Sequence, residues 1–490
     1  MAAASNAYFQ ETSSKQIVIV GGGLVGSLFA VFLVKRGFKV DLYEAREDPR
    51  LLKFVRGRST NLALSTRGIE ALKAVGVLDY VLPLGVPMYG RMLHSLTGDQ
   101  RPLYYEQEGP YPLLAMERRK VNEMLLSAAE SFSNLNLHFQ HKLVSVNLDK
   151  GHLTFLCPDG KTIEVNAEVV IGADGARSAI RNELMKRPRF DFSQEYIPHG
   201  YKEFQLLPTK SGEYAIKANY LHVWPRDSFM LIAIPNKEQS FTCTLIMPFE
   251  KFDALTKKED VIDFFNALFP NFVQLMGEER ILEDFFKNPV LPMVSIKCKP
   301  YHHSDKALII GDAAHAMVPF YAQGMNSAFE DCLILDRLLE KHGNNFGAVF
   351  EEYSNLRNKD AEAVCDLSMY NYLEMRSLVN SYSFLLERKL LSIFNWLMPK
   401  TFIPLHTMVT YTETPYSDVI KRSEWQQKKS TGPKVACALS GCRETLVRYR
   451  ASLPRHVYTD RIGWTSDARE NRQTTNQLKG EFPEEISKNR

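Results

Sequence analysis

The run Ile17-Val18-Ile19-Val20, followed at once by Gly21-Gly22-Gly23-Leu24-Val25-Gly26, constrains this chain more than any other feature. Four β-branched apolar residues in a row suit a strand buried on both faces, and the pattern from Leu24 to Lys35 suits a helix. A second strand, Val40 to Glu44, follows Gly37, so a parallel βαβ unit of about 30 residues is expected. Gly21 permits the tight turn, Gly23 lets a pyrophosphate approach the backbone, and Gly26 allows close helix packing. The helix start supplies N–H donors and partial positive charge. Glu44, ending the second strand, can accept hydrogen bonds from a ribose. Strand, turn, helix and acid together point to a dinucleotide; FAD and NAD satisfy the pattern equally.

Two later segments bear on the same sheet edge. Gly172-Ala173-Asp174-Gly175-Ala176-Arg177-Ser178 follows the apolar run Val169-Val170-Ile171 and could present backbone donors and a carboxylate, although Asp-Gly alone marks only a turn. Gly311-Asp312-Ala313-Ala314-His315 follows the strand Ala307 to Ile310, and its carboxylate could bind polyol hydroxyls. In the next segment, Pro319-Phe320-Tyr321-Ala322-Gln323-Gly324-Met325-Asn326, small residues would let a flat cofactor come close. His315 reads as an orienting hydrogen-bond partner, since no metal-ligand spacing accompanies it. No metal is expected, and no side chain is assigned acid–base catalysis.

Met116 to Phe132 and about Gly324 to Leu339 read as helices, and Lys142 to Val170 as hairpin strands. Tyr220 to Trp224, Phe229 to Ile234 and Phe241 to Met247 read as a separate, mostly antiparallel sheet. Helical patterns fill 346 to 398. The expected division is a discontinuous α/β nucleotide domain over 15–185 and 290–342, a substrate-domain sheet over 186–289, a helical region over 343–428, and a polar, poorly ordered tail over 429–490.

Composition narrows the partner. Among 490 residues, 60 basic and 57 acidic side chains nearly cancel, so no field would draw nucleic acid, and a small ligand is expected. Seven irregularly spaced cysteines fit a reduced compartment. The segment before Ile17 is short and polar, without the apolar core of a secretory signal. In the most apolar stretch, Phe384 to Val409, the residues Glu387, Arg388, Lys389, Pro399, Lys400 and Pro404 interrupt the run, which suits amphipathic helices lying on protein or a membrane surface.

The three motifs in this order, with the sheet between the second and third, resemble the flavoprotein aromatic hydroxylase family. Arg56-Gly57-Arg58-Ser59-Thr60-Asn61-Leu62-Ala63-Leu64-Ser65, Arg91-Met92-Leu93-His94-Ser95, Tyr196-Ile197-Pro198-His199-Gly200-Tyr201, Phe320 to Asn326 and Met369-Tyr370-Asn371-Tyr372-Leu373-Glu374-Met375-Arg376 look like its kynurenine-hydroxylating branch. The resemblance covers about Ile17 to Trp425. It implies an FAD-binding Rossmann-like fold of the GR2, p-hydroxybenzoate hydroxylase-like type, with resident non-covalent FAD and with NADPH and dioxygen as co-substrates. Only one full glycine fingerprint occurs, so NADPH is expected to bind transiently.

By that resemblance Asp312 binds the FAD ribityl chain and Asp174 and Arg177 lie near the cofactor. Gly21, Gly23, Val25, Gly26, Glu44, Arg46, Ala63, Arg118, Leu143, Gln323, Gly324, Met325 and Asn326 complete the cofactor set. Arg91, Tyr105 and Asn371 would hold the amino-acid end of L-kynurenine, with Phe320, Glu374 and Met375 beside it. A guanidinium grips a planar carboxylate through two charge-assisted hydrogen bonds, so the role suits Arg91. His406 stands where the family has a substrate-contacting tyrosine. The implied reaction, in tryptophan catabolism towards NAD and quinolinate, hydroxylates the ring by way of a flavin hydroperoxide, which demands apolar walls; Leu221, Met230, Phe241, Phe320 and Met375 are the candidates.

Other readings are a flavoenzyme for a different aromatic acid and a non-catalytic binding scaffold; the intact glycine turn and Asp312 argue against the second. The resemblance implies the cytosolic face of the outer mitochondrial membrane. The polar composition after Lys428, where the family has a hydrophobic anchor, leaves peripheral attachment or a cytosolic location as alternatives.

Overall fold

The computed structural model of the protein describes residues 15–52, 61–105, 109–376, 394–395 and 397–429. Its first sheet has six strands in the order His302–His303, Ala307–Ile309, Val169–Gly172, Gln16–Val20, Lys39–Glu44, Leu135–Phe139. All neighbours are parallel except the edge pair His302–His303 and Ala307–Ile309. Parallel strands end on one edge, so the turns after Val20, Glu44, Gly172 and Ile309 share a rim, the place where open α/β sheets bind ligands.

Helix Leu24–Lys35 shows why the first motif folds as it does. Ten of its residues, from Leu24 to Val34, are buried around nearly its whole circumference, as fits a helix covered on all sides. It packs between the strand Lys39–Glu44 and the helices Arg118–Glu130 and Gly324–His342. Ile17, Val18 and Ile19 beneath it are 0% exposed; burying each contributes about 1.5–3 kcal/mol. The hairpin region is three antiparallel strands, Lys142–Asn147, His152–Leu156 and Thr162–Asn166.

The second sheet is wider than the span 186–289 expected for it. Its order is Leu291–Lys299, Asp191–Leu206, Phe241–Pro248, Phe229–Pro235, Leu221–Arg226, Gly90–His94, Gln100–Tyr104. Three strands come from outside that span, and one pairing, Leu221–Arg226 with Gly90–His94, is parallel. Such long-range pairing leaves no local trace in the sequence.

Alternation along the strands separates two apolar layers. Phe241, Cys243, Leu245 and Met247 pack with Phe252, Phe265, Phe272 and Phe285, on helices between 249 and 287. Met230 and Ile246 project to the other side and pack with Leu221, Phe320, Tyr372 and Met375. The expected wall residue Phe241 is therefore corrected: its register turns it away from Phe320, while Leu221, Met230, Phe320 and Met375 do gather.

Helix Phe346–Arg376, helix Leu405–Tyr411 and a helix over 416–429 complete the described chain. The expected tail over 429–490 lies, except for Lys429, outside the described residues, as does most of the first half of Phe384 to Val409. Among the described residues no helix is long and apolar enough to cross a membrane.

Candidate functional site

The glycine turn is built for close approach. Gly21 has φ +109° and a Cβ there would lie 2.4 Å from the Ala173 carbonyl oxygen; a Cβ on Gly26 would lie 2.0 Å from the Gly21 carbonyl oxygen. Gly23, by contrast, has nothing within 4 Å of its Cβ position. Side chains fix the turn: Glu44 accepts from the Gly22 amide at 2.8 Å, and Ser27 and Asn122 each donate to the Gly22 carbonyl at 3.1 Å. Glu44 also accepts from the Arg46 amide at 3.0 Å, and the Arg46 side chain is exposed. Leu143 lies two residues past His141, whose amide donates to the Glu44 carbonyl, and it lines a hollow with Ala179 and Asn182. Arg118 is exposed at the start of its helix.

The other two motifs meet this turn. The Ala173 amide donates to Val20 and the Ile310 amide to Gly172. Buried Arg181 joins them, donating to the Ala313 carbonyl at 2.9 Å and the Ala176 carbonyl at 2.6 Å. Asp174 is turned to the start of helix Ala179–Leu184, accepting from the Ala179 amide at 2.7 Å, beside the N-cap Ser178, which accepts from the Arg181 amide. Burial raises the Asp174 carboxyl group above the ordinary range, against the pull of the Ala179 amide. Arg177 is exposed. Gly311, at φ +59°, packs against Val25, and half-buried Asp312 follows it with no hydrogen bond from its carboxylate among the described residues.

Next to these lies the segment 320–326. Asn326, 0% exposed, donates to the carbonyls of Ala63 and Ala322, both at 2.8 Å, and accepts from the Ser65 amide. Gln323 and Met325 are buried, and Gly324 opens helix Gly324–His342. Gly21, Gly23, Gly26 and the free Asp312 carboxylate fit a dinucleotide with a polyol chain: backbone amides at the start of a twelve-residue helix face where a diphosphate would sit.

The residues expected on the substrate side converge as well. Arg91 is 6% exposed; it donates to Asn371 Oδ1 at 3.2 Å and pairs with Glu374 at 3.3 Å. Its Nε is buried without a partner. Burial alone would lower its pKa, but the facing Tyr105, Glu374 and Tyr321 outweigh that and raise it. Asn371 donates to the Phe320 carbonyl at 2.7 Å and to Met375 Sδ at 3.4 Å. The His406 ring stacks on Tyr105 at 4.5 Å and 9°, so a flat aromatic contact is kept at the position of the departure. Phe320 stacks on Tyr372 at 3.9 Å.

Sequence reasoning missed the buried charges beneath the third motif. His315 pairs with Asp331 at 2.6 Å, and Asp331 also accepts from the Gly311 amide at 3.2 Å. Arg357 pairs with Asp331 at 2.8 Å and with Glu330 at 2.9 Å, and Glu330 pairs in turn with Arg67. Burial would raise the Asp331 carboxyl group, but His315 and Arg357 hold it at about 2. The orienting role read for His315 is thus what its contacts supply. Charged residues scattered over several helices give no local signal for such a network.

The model of the FAD binding domain family matches residues 14–368. Kynurenine 3-monooxygenase of Sus scrofa is 48% identical over 412 residues, covering 84% of this chain and 87% of that one. The Anopheles gambiae enzyme of the same name is 48% identical over 436 residues, covering 87% and 90%. Among solved structures, 2-methyl-3-hydroxypyridine-5-carboxylic acid oxygenase aligns with TM-score 0.61 at 20% identity over 76% of this chain and 95% of that one. Pseudomonas aeruginosa PqsL in complex with 2-aminobenzoylacetate aligns with TM-score 0.60 at 18% identity, over 74% and 97%. These two show the shared fold. The extent of sequence identity goes further: the chain belongs to the kynurenine 3-monooxygenase family of FAD-dependent aromatic monooxygenases.

Proposed function

We propose that this chain hydroxylates L-kynurenine to 3-hydroxy-L-kynurenine, consuming NADPH and dioxygen. The observation that carries the reading is Arg91, a buried guanidinium with an unpartnered Nε, flanked by Tyr105 and Asn371 and set beside the apolar cluster of Phe320, Met230 and Met375. A ligand with a carboxylate at one end and an aromatic ring at the other suits that pairing. Bound FAD would supply the transfer of electrons from NADPH to dioxygen, one atom of which goes to the ring and the other to water.

The chain's own residues bind and orient. The glycine turn seats the diphosphate and Asp312 takes the ribityl hydroxyls. Arg91, Tyr105 and Asn371 hold the substrate carboxylate, which fixes the direction in which the ring enters. Phe320, Met230, Met375 and Leu221 exclude water, which would otherwise divert the reduced oxygen to hydrogen peroxide. Val25, Ala63, Gln323, Gly324, Met325 and Asn326 shape the flavin side, and His406 on Tyr105 closes the opposite side. The test is NADPH oxidation by the FAD-loaded chain with and without L-kynurenine, and with a panel of other aromatic acids. Stimulation by another acid and none by kynurenine would overturn the substrate.

Peripheral attachment to a membrane surface belongs to the same reading. Leu397, Met398 and Trp425 are 58%, 42% and 44% exposed. Arg422 donates to the Lys400 carbonyl within the same corner, and Lys400 and Lys421 are exposed; apolar tips with a basic rim suit an anionic lipid surface. The outer mitochondrial membrane is the surface proposed. Release from membranes by high salt without detergent is expected; full retention in the pellet would contradict it.

A further inference from the structure

Three consecutive carbonyls, those of Phe320, Tyr321 and Ala322, are each held by a side-chain amide. Asn371 donates to Phe320 at 2.7 Å, Gln323 to Tyr321 at 3.3 Å, and Asn326 to Ala322 at 2.8 Å. The segment needs holding, because Ala322 sits at φ +53°, a left-handed conformation that a residue with a Cβ adopts at a penalty. The segment also joins the two halves of the proposed site: Phe320 belongs to the apolar cluster, and Gly324 to Asn326 are the residues proposed to shape the flavin side. Asn371 is tied to Arg91, and Asn326 to Ser65. Gln323 is tied elsewhere. Its Oε1 accepts from the Tyr416 hydroxyl at 2.9 Å.

Tyr416 is 0% exposed, and the guanidinium of Arg67 lies 3.9 Å from its ring centroid. Arg67 pairs with Glu330 and donates to the Thr414 carbonyl, so the ring is anchored from both sides of the chain. Burial pushes the phenol ionisation well above its ordinary range, and the hydroxyl stays a donor at working pH. We infer that Tyr416, through Gln323, is a positioning residue that keeps segment 320–323 in register between flavin and substrate. The inference rests on the reading of the site given above. Coupled turnover converts NADPH, a proton, dioxygen and substrate into NADP+, water and hydroxylated substrate. A segment that drifts lets the same NADPH, proton and dioxygen end as NADP+ and hydrogen peroxide.

The test is Tyr416→Phe in the full FAD-loaded chain, which keeps the ring against Arg67 and removes only the hydroxyl. One neutral buried hydrogen bond shifts a two-state segment by about fivefold. Amide hydrogen exchange of the peptide spanning 319–326 is expected to quicken about fivefold, with FAD content unchanged, and the ratio of peroxide to hydroxylated product to rise by a similar factor. Gln323→Leu should quicken exchange likewise, and Tyr416→Phe combined with it should add nothing further. Unchanged exchange in Tyr416→Phe, or additive effects in the double variant, would overturn the inference. Quickened exchange in Tyr416→Phe, with a parent that fails to hydroxylate kynurenine, would leave the inference standing and sink the substrate instead.

Discussion

Replacing Arg91 with alanine removes the buried cation proposed to receive the substrate carboxylate. In the free protein the change breaks the 3.2 Å bond to Asn371 and the 3.3 Å pair with Glu374, whose side chain is 16% exposed. That loss falls on stability; the loss to catalysis is the charge-assisted grip on the substrate carboxylate, and truncating one partner of such a buried pair typically costs binding about 2–5 kcal/mol. Expressed through kcat/KM, that is a loss of at least about 30-fold, carried mainly by KM if the contact is as strong in the ground state as in the transition state. Arg91 lies on strand Gly90–His94 of the second sheet, away from the glycine turn, so FAD content should match the parent. The assay is kynurenine-stimulated NADPH oxidation, with flavin absorbance as control and Arg91→Ala/Glu374→Gln as a second variant that also removes the carboxylate charge. Full activity in either variant, or loss of flavin with activity per flavin intact, would refute the reasoning.

Other expectations follow from the packing. Gly26→Ala drives a Cβ to within 2.0 Å of the Gly21 carbonyl oxygen and should yield a folded chain with little flavin; a fully yellow variant would contradict this. Arg357→Met takes one of two cationic partners from each carboxylate, leaving Asp331 with His315 and Glu330 with Arg67, and should destabilise by about 3–5 kcal/mol, read as a fall in Tm; an unchanged Tm would contradict this. His94 and His222, 2.8 Å apart and buried, are held neutral: burial and His222 lower His94 to about 3, and burial lowers His222 to about 4. The unfolded chain binds those protons near pH 6.5, so the pair's stability is present above about pH 6.5 and is lost as pH falls towards 4. Tm should drop between pH 7 and pH 5, and His94→Asn should flatten the slope; an unchanged slope would show that the pair does not carry it.

Much of the site was readable because its signals are local. Ile17 to Gly26 carries strand, turn and helix start in ten consecutive residues, and the structure gives Gly21 and Gly26 a steric reason. Glu44, Asp312 and Asn326 sit at strand or helix ends, where the change of pattern marks them. What escaped depends on long-range pairing. Nothing in Arg91-Met92-Leu93-His94 announces that it will lie beside Leu221–Arg226, and the strand parity that turns Phe241 away from Phe320 is fixed only once the partner strands are known. Arg67, Asp331, Arg357 and Tyr416 read as ordinary surface or core residues until several helices bring them together. Asp174, which the motif also marks, accepts from the first amides of helix Ala179–Leu184, a contact the motif alone does not announce.

The central claim is that a flavin seated at the opening of helix Leu24–Lys35 delivers one oxygen atom to the ring of a carboxylate-bearing substrate gripped by Arg91. Turnover of L-kynurenine by the FAD-loaded chain under isotopically labelled dioxygen, read by mass spectrometry, tests it most directly. One labelled oxygen atom on the aromatic ring per product molecule is predicted. NADPH consumption that leaves kynurenine unchanged, or a product whose added oxygen derives from water, would contradict it.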